Sequence, residues 1–254
     1  MTITYSHSGS LGDLIYSLPV VKHFGAGNFY VKLRSIEAVA AKYGYHQRDV
    51  SPFHLRKMTE TEFYLLEPLL EAQPYITKVI PTDNFDFEAT YDLDKFRSVL
   101  FRTFNGNYLE AYFKTFGIPY TVDDLIAPWL VAEPKAIAPI VVTRTFRYRN
   151  PVSEAKWKEF AALPGFNENT VFVGLADEHV DFQQMTGSKV PYYGCKDFLE
   201  MARVIAGCKT FIGNQTFAYG LAQGLGKQTF LECIPDRDLL HNECFFPRPD
   251  CHYF

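Results

Sequence analysis

The stretch "HSGSLGDLIYSLPVV", residues 7 to 21, follows the short apolar-polar run "MTITY" at residues 1 to 5. Leu11, Ile15, Leu18 and Val21 recur at helical spacing, which predicts a helix over about 11–24, with Pro19 as a candidate kink. A strand over 2–6 therefore runs into a small-residue loop, with Gly9 and Gly12, that opens a helix. α/β proteins use that device to bring backbone N–H groups and one acidic side chain to a ligand. The acidic side chain here is Asp13, in the first turn, where the helix dipole favours a carboxylate. On those grounds alone it is a helix-stabilising residue; facing a ligand, it is also a group that can take a proton from an attacking hydroxyl.

The alternation continues outward from that loop. "NFYVKLR" (28–34) is rich in strand formers, and "SIEAVAAKYG" (35–44) reads as a helix stopped by Gly44. "TETEFYLLEPLLEAQ" from residue 59 is helical, with Thr59 and Glu62 in capping-box spacing, and "ITKVIP" (76–81) is a strand. The acidic, aromatic stretch 82–98 reads as a loop with strand fragments, and "NYLEAYFKTFGI" (107–118) as a helix. "VAEPKAIAP" (131–139) carries two prolines and no periodicity, as a linker does. The pattern then restarts: strands at 140–145, 169–176, 209–213 and 227–233, and helices at 153–163 (Ser153 as N-cap), 197–208 and 216–226. Two α/β units in tandem follow, over about 1–132 and 139–254.

Composition narrows the function. The 254 residues are 47% hydrophobic and 21% charged, with no apolar run of spanning length and no basic-then-apolar leader, so a soluble, cytoplasmic protein is expected. A net charge of −4 gives no global attraction to nucleic acid. A local basic cleft can still be drawn from Arg34, Arg48, Arg56, Lys57, Arg97 and Arg102. Five cysteines without paired short spacings read as reduced thiols. His241, Cys244, Cys251 and His252 are the one group that could be drawn as a metal site, and none is expected.

Two further stretches carry candidate chemistry. In "GNQTFAYGLAQGLGKQTFLE" (213–232) a strand ends, Asn214, Gln215 and Thr216 offer amides and a hydroxyl, and a helix begins at once, which is an anion cradle in form. The same residues also make an ordinary capped strand-to-helix turn. In "TRTFRYRNP", Arg144, Arg147 and Arg149 follow a strand and could clamp a diphosphate or form a solvated basic loop. There is no dinucleotide or NTPase glycine motif, and the nearest Asp-x-Asp, "DLD" at 92–94, lies in the first half.

Together the opening loop and "DFLEMARVIAGCKTFIGNQTFAYGLAQGLGKQTFLE" (197–232) resemble the glycosyltransferases related to ADP-heptose:lipopolysaccharide heptosyltransferases, glycosyltransferase family nine. The resemblance implies a GT-B fold, two Rossmann-like lobes with a cleft between them, acceptor on the first and nucleotide sugar on the second. It implies inverting, metal-independent transfer with no cofactor beyond the nucleotide-diphosphate sugar as co-substrate. The family's Gly-Asp motif falls on Gly12 and Asp13, so Asp13 is the expected base, with Ser10 and Gly12 beside it as substrate-binding residues. Thr216 keeps the hydroxyl of the family's donor loop, whose usual Asp and His are replaced here. By placement, a family basic residue corresponds to one of Arg144, Arg147 or Arg149, and an acidic one to Glu178 or Asp177.

The expected substrate group is thus Asn214, Gln215, Thr216, Arg144, Arg147 and Glu178, serving transfer to a saccharide, a small metabolite or a modified DNA base. The alternative is a non-catalytic nucleotide- or sugar-binding module with a degenerate donor site.

Overall fold

The structure is a computed structural model that describes residues 2–8, 10–33, 58–84, 87–97, 106–234 and 244–254. By its internal contacts the chain divides into two compact units, Met1–Leu125 and Ile126–Phe254. The helix expected at 35–44 lies outside the described residues, as do Gly9, Arg34, Arg48, Arg56, Lys57, Arg102 and His241.

The first unit runs β1 (Ile3–His7), α1 (Leu11–Phe24), β2 (Gly27–Lys32), α2 (Glu60–Glu71), β3 (Ile76–Thr82), β4 (Tyr91–Asp92), a 3-10 turn (Leu93–Phe96) and α3 (Tyr108–Thr115). Its described strands are parallel, in the order β3-β2-β1-β4. The chain steps outward from β1 to β3 and then returns to the other side of β1, so the direction of winding reverses between β1 and β4. In such sheets ligands bind beyond the carboxyl ends of the strands at that reversal.

Every residue of α1 from Asp13 to Val21 is buried, so the helix lies inside the unit rather than on its surface. Pro19 does not end it. Helices α2 and α3 begin with reciprocal capping boxes, Thr59 with Glu62 and Asn107 with Glu110. Aromatic residues fill the spaces between layers: Tyr16 stacks on Tyr108 at 4.6 Å, Phe96 on Tyr112 at 4.3 Å and Phe24 on Tyr91 at 4.1 Å.

A short helix, α4 (Val122–Ile126), ends where the second unit begins. That unit comprises β5 (Ile140–Thr143), a 3-10 turn (Pro151–Ser153), α5 (Glu154–Ala161), α6 (Phe166–Asn169), β6 (Thr170–Val173), α7 (Ala176–Thr186), β7 (Tyr192–Tyr193), α8 (Phe198–Gly207), β8 (Thr210–Asn214), α9 (Phe217–Gly224), β9 (Gln228–Glu232) and β10 (Cys251–Tyr253). Its sheet is parallel throughout, in the order β10-β9-β8-β5-β6-β7. Winding reverses again beside the first strand, between β5 and β8. One core cluster joins Val142, Trp157, Phe166, Phe172, Phe182, Val190 and Ile212.

Several expectations need correction. The segment 131–139 is not a free linker: Trp129 and Leu130 donate to the Gly224 carbonyl at 2.9 Å, and Lys135 N donates to Arg203 O at 2.8 Å. Gly207 has no room for a Cβ because the Lys135 and Ala136 backbone lies against it. Division by internal contacts falls at Leu125/Ile126, and the segment expected to link the units belongs with the second. Ser153 is the N-cap of α5 by position, but its side chain makes no capping bond; its hydroxyl proton lies between Asn150 O and Glu232 Oε1. The strand expected to reach 176 stops at Val173, because Gly174 turns the chain with φ 153° into α7, a helix the periodicity did not indicate.

Candidate functional site

At the carboxyl ends of β1 and β4 the first unit gathers a buried polar cluster. Ser10 is the N-cap of α1 in extended conformation, but its side chain makes no capping bond. Among the described residues nothing stands within 4 Å of where a Cβ on Gly12 would be. Asp13 is 9% exposed, and its Oδ2 accepts from Arg97 Nη2 at 2.9 Å. Arg97 follows the 3-10 turn, its guanidinium 4.9 Å from the centre of the Phe96 ring.

Beneath this pair is Asp94, whose carboxylate accepts from Ser8 N at 3.1 and 3.2 Å. Its Oδ1 lies 3.6 Å from Arg97 Nε, a buried donor that has no hydrogen-bond partner among the described residues. Asp92 in turn accepts from Asp94 N at 3.3 Å and Ser6 Oγ at 3.4 Å, with Lys32 Nζ 3.8 Å away. The two carboxylates of "DLD" thus form the frame under Asp13.

His7 and Tyr112 complete the cluster. The Tyr112 hydroxyl donates to the Asp13 main-chain oxygen at 2.9 Å, so in its 2.9 Å contact with His7 the Nε2 of the ring is the donor. Burial holds the His7 ring below its usual pKa, against the pull of Asp94. For Asp94 burial would act upward, but His7, Arg97 and the Ser8 hydrogen bond outweigh it and hold the carboxyl below the usual range. Arg97, despite its burial, is held charged by Asp13 and Asp94. Burial, reinforced by the Asp13 charge, pushes the Tyr112 phenol well above its ordinary range.

In the second unit the loops after β5 and β8 meet. Asn214, fully buried, donates to Thr145 O at 3.1 Å and Arg147 O at 2.6 Å and accepts from Thr145 N at 3.1 Å. It fixes the arginine loop from below. Arg144 is not turned outward: it makes a two-pronged pair with Glu232 (Nε to Oε2 3.0 Å, Nη2 to Oε1 3.1 Å). Glu232 also accepts from Asn150 N, Ser153 Oγ and Trp157 Nε1 at 2.9, 2.5 and 3.0 Å. That carboxylate is the counter-ion that occupies Arg144.

Arg149 pairs with Asp181 at 2.7 Å, and half-buried Arg147 reaches Tyr148 Oη at 3.2 Å. Glu178 accepts from Leu175 N at 3.0 Å, and burial raises its pKa. It closes the first turn of its own helix. Gln215 is half-buried beside Thr216, the N-cap of α9. The Thr216 side chain makes no capping bond, and its Oγ1 is buried without a hydrogen-bond partner among the described residues. Thr143 Oγ1 is in the same condition and lies 2.7 Å from where a Cβ on Gly213 would stand.

The structure thus assembles Asp13 with Ser10 and Gly12 in one unit, and Arg147, Asn214, Gln215 and Thr216 in the other, with Arg144 and Glu178 tied to internal partners. Sequence reasoning gave Asp94 and Glu232 no role and placed Arg97 in a candidate basic cleft, whereas its guanidinium is paired with Asp13. A lone acid closing an apolar strand, as in "TFLE" (229–232), and the run "DLDKFR" (92–97) were the available signals. Among the described residues no three His, Cys, Asp or Glu side chains are grouped to hold a metal, and no helix is long and apolar enough to cross a membrane.

No family model and no curated protein matches the sequence at a significant level. Solved structures do match. The chain is similar to a family 9 glycosyl transferase from Veillonella parvula DSM 2008 (TM-score 0.58, 11% identity, 99% of this chain and 84% of that one). It is similar also to the E. coli ADP-heptose LPS heptosyltransferase II (TM-score 0.57, 13% identity, 100% and 90%). The E. coli heptosyltransferase WaaC with ADP-2-deoxy-2-fluoro heptose matches with TM-score 0.51 and 13% identity over 100% and 93%. At these identities the likeness is one of fold: two parallel-sheet α/β lobes of the GT-B kind.

Proposed function

We propose that this chain transfers a sugar from a nucleotide-diphosphate donor to an acceptor hydroxyl, with Asp13 as general base. The observation that carries the reading is the placement of Asp13: a carboxylate at the first turn of α1, beyond the end of β1 at the winding reversal, with Oδ2 oriented by Arg97. No hydrogen bond among the described residues occupies its other oxygen.

In the reaction so read, the acceptor O–H gives its proton to Asp13 as its oxygen bonds to the anomeric carbon. The bond from that carbon to the diphosphate breaks on the opposite side, inverting the centre. Charge then grows on the departing diphosphate. The amides opening α9 and the unpartnered Thr216 hydroxyl are the groups this chain offers to receive it, with Arg147 near by. Arg144 keeps the loop in place through Glu232 and takes no phosphate in this reading. No metal is assigned a role.

ADP and ADP-heptose are the first donors to try, since the neighbouring structures hold ADP and an ADP-heptose analogue. The test is a transfer assay following ADP release from ADP-heptose with heptose-free lipopolysaccharide core, saccharide and modified-DNA acceptors in separate arms. Asp13→Asn is expected to keep donor binding and lose about 100-fold or more of turnover. Retained turnover removes the base assignment. Donor binding with no turnover on any acceptor, in the unaltered chain, would favour a binding module.

A further inference from the structure

Arg97 sits between two carboxylates and is bonded to only one of them. Its Nη2 is 2.9 Å from Asp13 Oδ2, while its Nε, buried and without a hydrogen-bond partner among the described residues, stands 3.6 Å from Asp94 Oδ1. A buried donor left so close to an acceptor is uncommon, and a small rotation of the guanidinium closes the gap. Asp94 is itself fixed, gripped by Ser8 N and fully buried, so Arg97 is the member that can move. Asp13 and Arg97 both lie at the margin of solvent, with side chains 12% and 8% exposed.

A base paired with a nearly buried cation has a difficulty. Once Asp13 takes a proton its charge is gone, and among the described residues the guanidinium is left with the Asp94 carboxylate alone, 3.6 Å from Nε and not hydrogen-bonded to it, a costly state for a buried cation. We propose that Arg97 is a positioning residue that passes between the two carboxylates: it orients Asp13 while Asp13 is an anion, and it engages Asp94 through Nε as Asp13 receives the acceptor's proton. The proposal rests on the reading of Asp13 as base. The proton moves from the acceptor hydroxyl to Asp13 alone; Arg97 stays protonated, Asp94 stays ionised and no further charge crosses the cluster. Among the described residues, His7 and Tyr112 also interact with the guanidinium, while Asp92, paired with Lys32, holds Asp94 from behind. None of them gains or loses a proton in this step.

The test reads position and rate separately. Asp13→Asn imitates the protonated base in shape and charge, and its crystal structure is expected to show Arg97 Nε within about 3 Å of Asp94 Oδ1. Asp13→Ala serves the same purpose if the amide variant does not fold. Asp94→Asn, assayed with ADP-heptose and heptose-free lipopolysaccharide core, is expected to lower kcat by roughly 10- to 100-fold at unchanged KM for the donor, with Asp94→Glu restoring part of it. An Arg97 that keeps its place in the Asp13 variant, or an Asp94→Asn enzyme with unchanged kcat, overturns the hand-over alone. Full turnover by Asp13→Asn overturns the base assignment and the hand-over with it.

Discussion

Two carboxylates near the ends of central strands have opposite fates here. Glu232 is fully buried and saturated by Arg144, Asn150, Ser153 and Trp157, whereas the Asp13 side chain, 12% exposed, accepts a hydrogen bond among the described residues through Oδ2 alone. The first is a structural ion; the second is the group the proposed reaction uses as base. Removing the charge of Glu232 leaves buried Arg144 with only the Asp181 carboxylate, 4.0 Å away, so Glu232→Gln is expected to cost about 3 kcal/mol in urea unfolding. A loss well under 1 kcal/mol would show that Arg144 finds other compensation. The buried His7 ring makes a second prediction. Its folded pKa is held down by burial, so on acidification the unfolded chain takes up a proton before the folded one does. Stability is fully present above an unfolded histidine's value of about 6.5 and falls as pH drops through and below it. Asp94, also depressed, adds a loss with the same sign in the more acidic range. The urea midpoint of the wild type should therefore decline from pH 7 to 5.5, and His7→Gln should flatten that decline; parallel curves for the two proteins would contradict it.

At the scale of elements, both sheets wind outward from their first strand and then reverse beside it, which sets the loops after β1 and β5 at the places where α/β sheets take ligands. Much of this was legible. The strand-loop-helix at Asp13, the capping box of Thr59 with Glu62 and the helix over 198–207 all follow from local pattern. What escaped was decided by long-range packing. The prolines of 131–139 read as a linker because nothing local shows that Gly207 leaves room for the Lys135 backbone. Helix α7 opens on acidic residues without a clear apolar stripe, and β10 pairs with β9 only in the folded chain. Arg144 and Glu232 are 88 positions apart, so no spacing rule joins them. The Gly207 contact is testable: Gly207→Ala forces a Cβ against main chain and is expected to destabilise by about 1–3 kcal/mol and to expose 131–139 to limited proteolysis. An unchanged digestion pattern would show that the segment is held by other contacts.

For the whole molecule, the fold matches glycosyltransferase structures nearly end to end while sequence identity is 11–13%, so conserved composition plays little part in the likeness. The functional reading turns instead on a division of labour, a proton acceptor in the first unit and a diphosphate cradle at α9 in the second. Those roles separate experimentally. A donor present at 100 times its Kd should add about 2.7 kcal/mol to stability. The most direct measurement is calorimetric titration of the purified chain with ADP-heptose, ADP, UDP, GDP and CDP, repeated on Thr216→Val and Asp13→Asn. The account predicts binding of one nucleotide series, weakened roughly 10-fold by Thr216→Val through loss of one hydrogen bond to a charged group and left intact by Asp13→Asn. Failure of every nucleotide to bind, or loss of binding through Asp13 with none through Thr216, would contradict it.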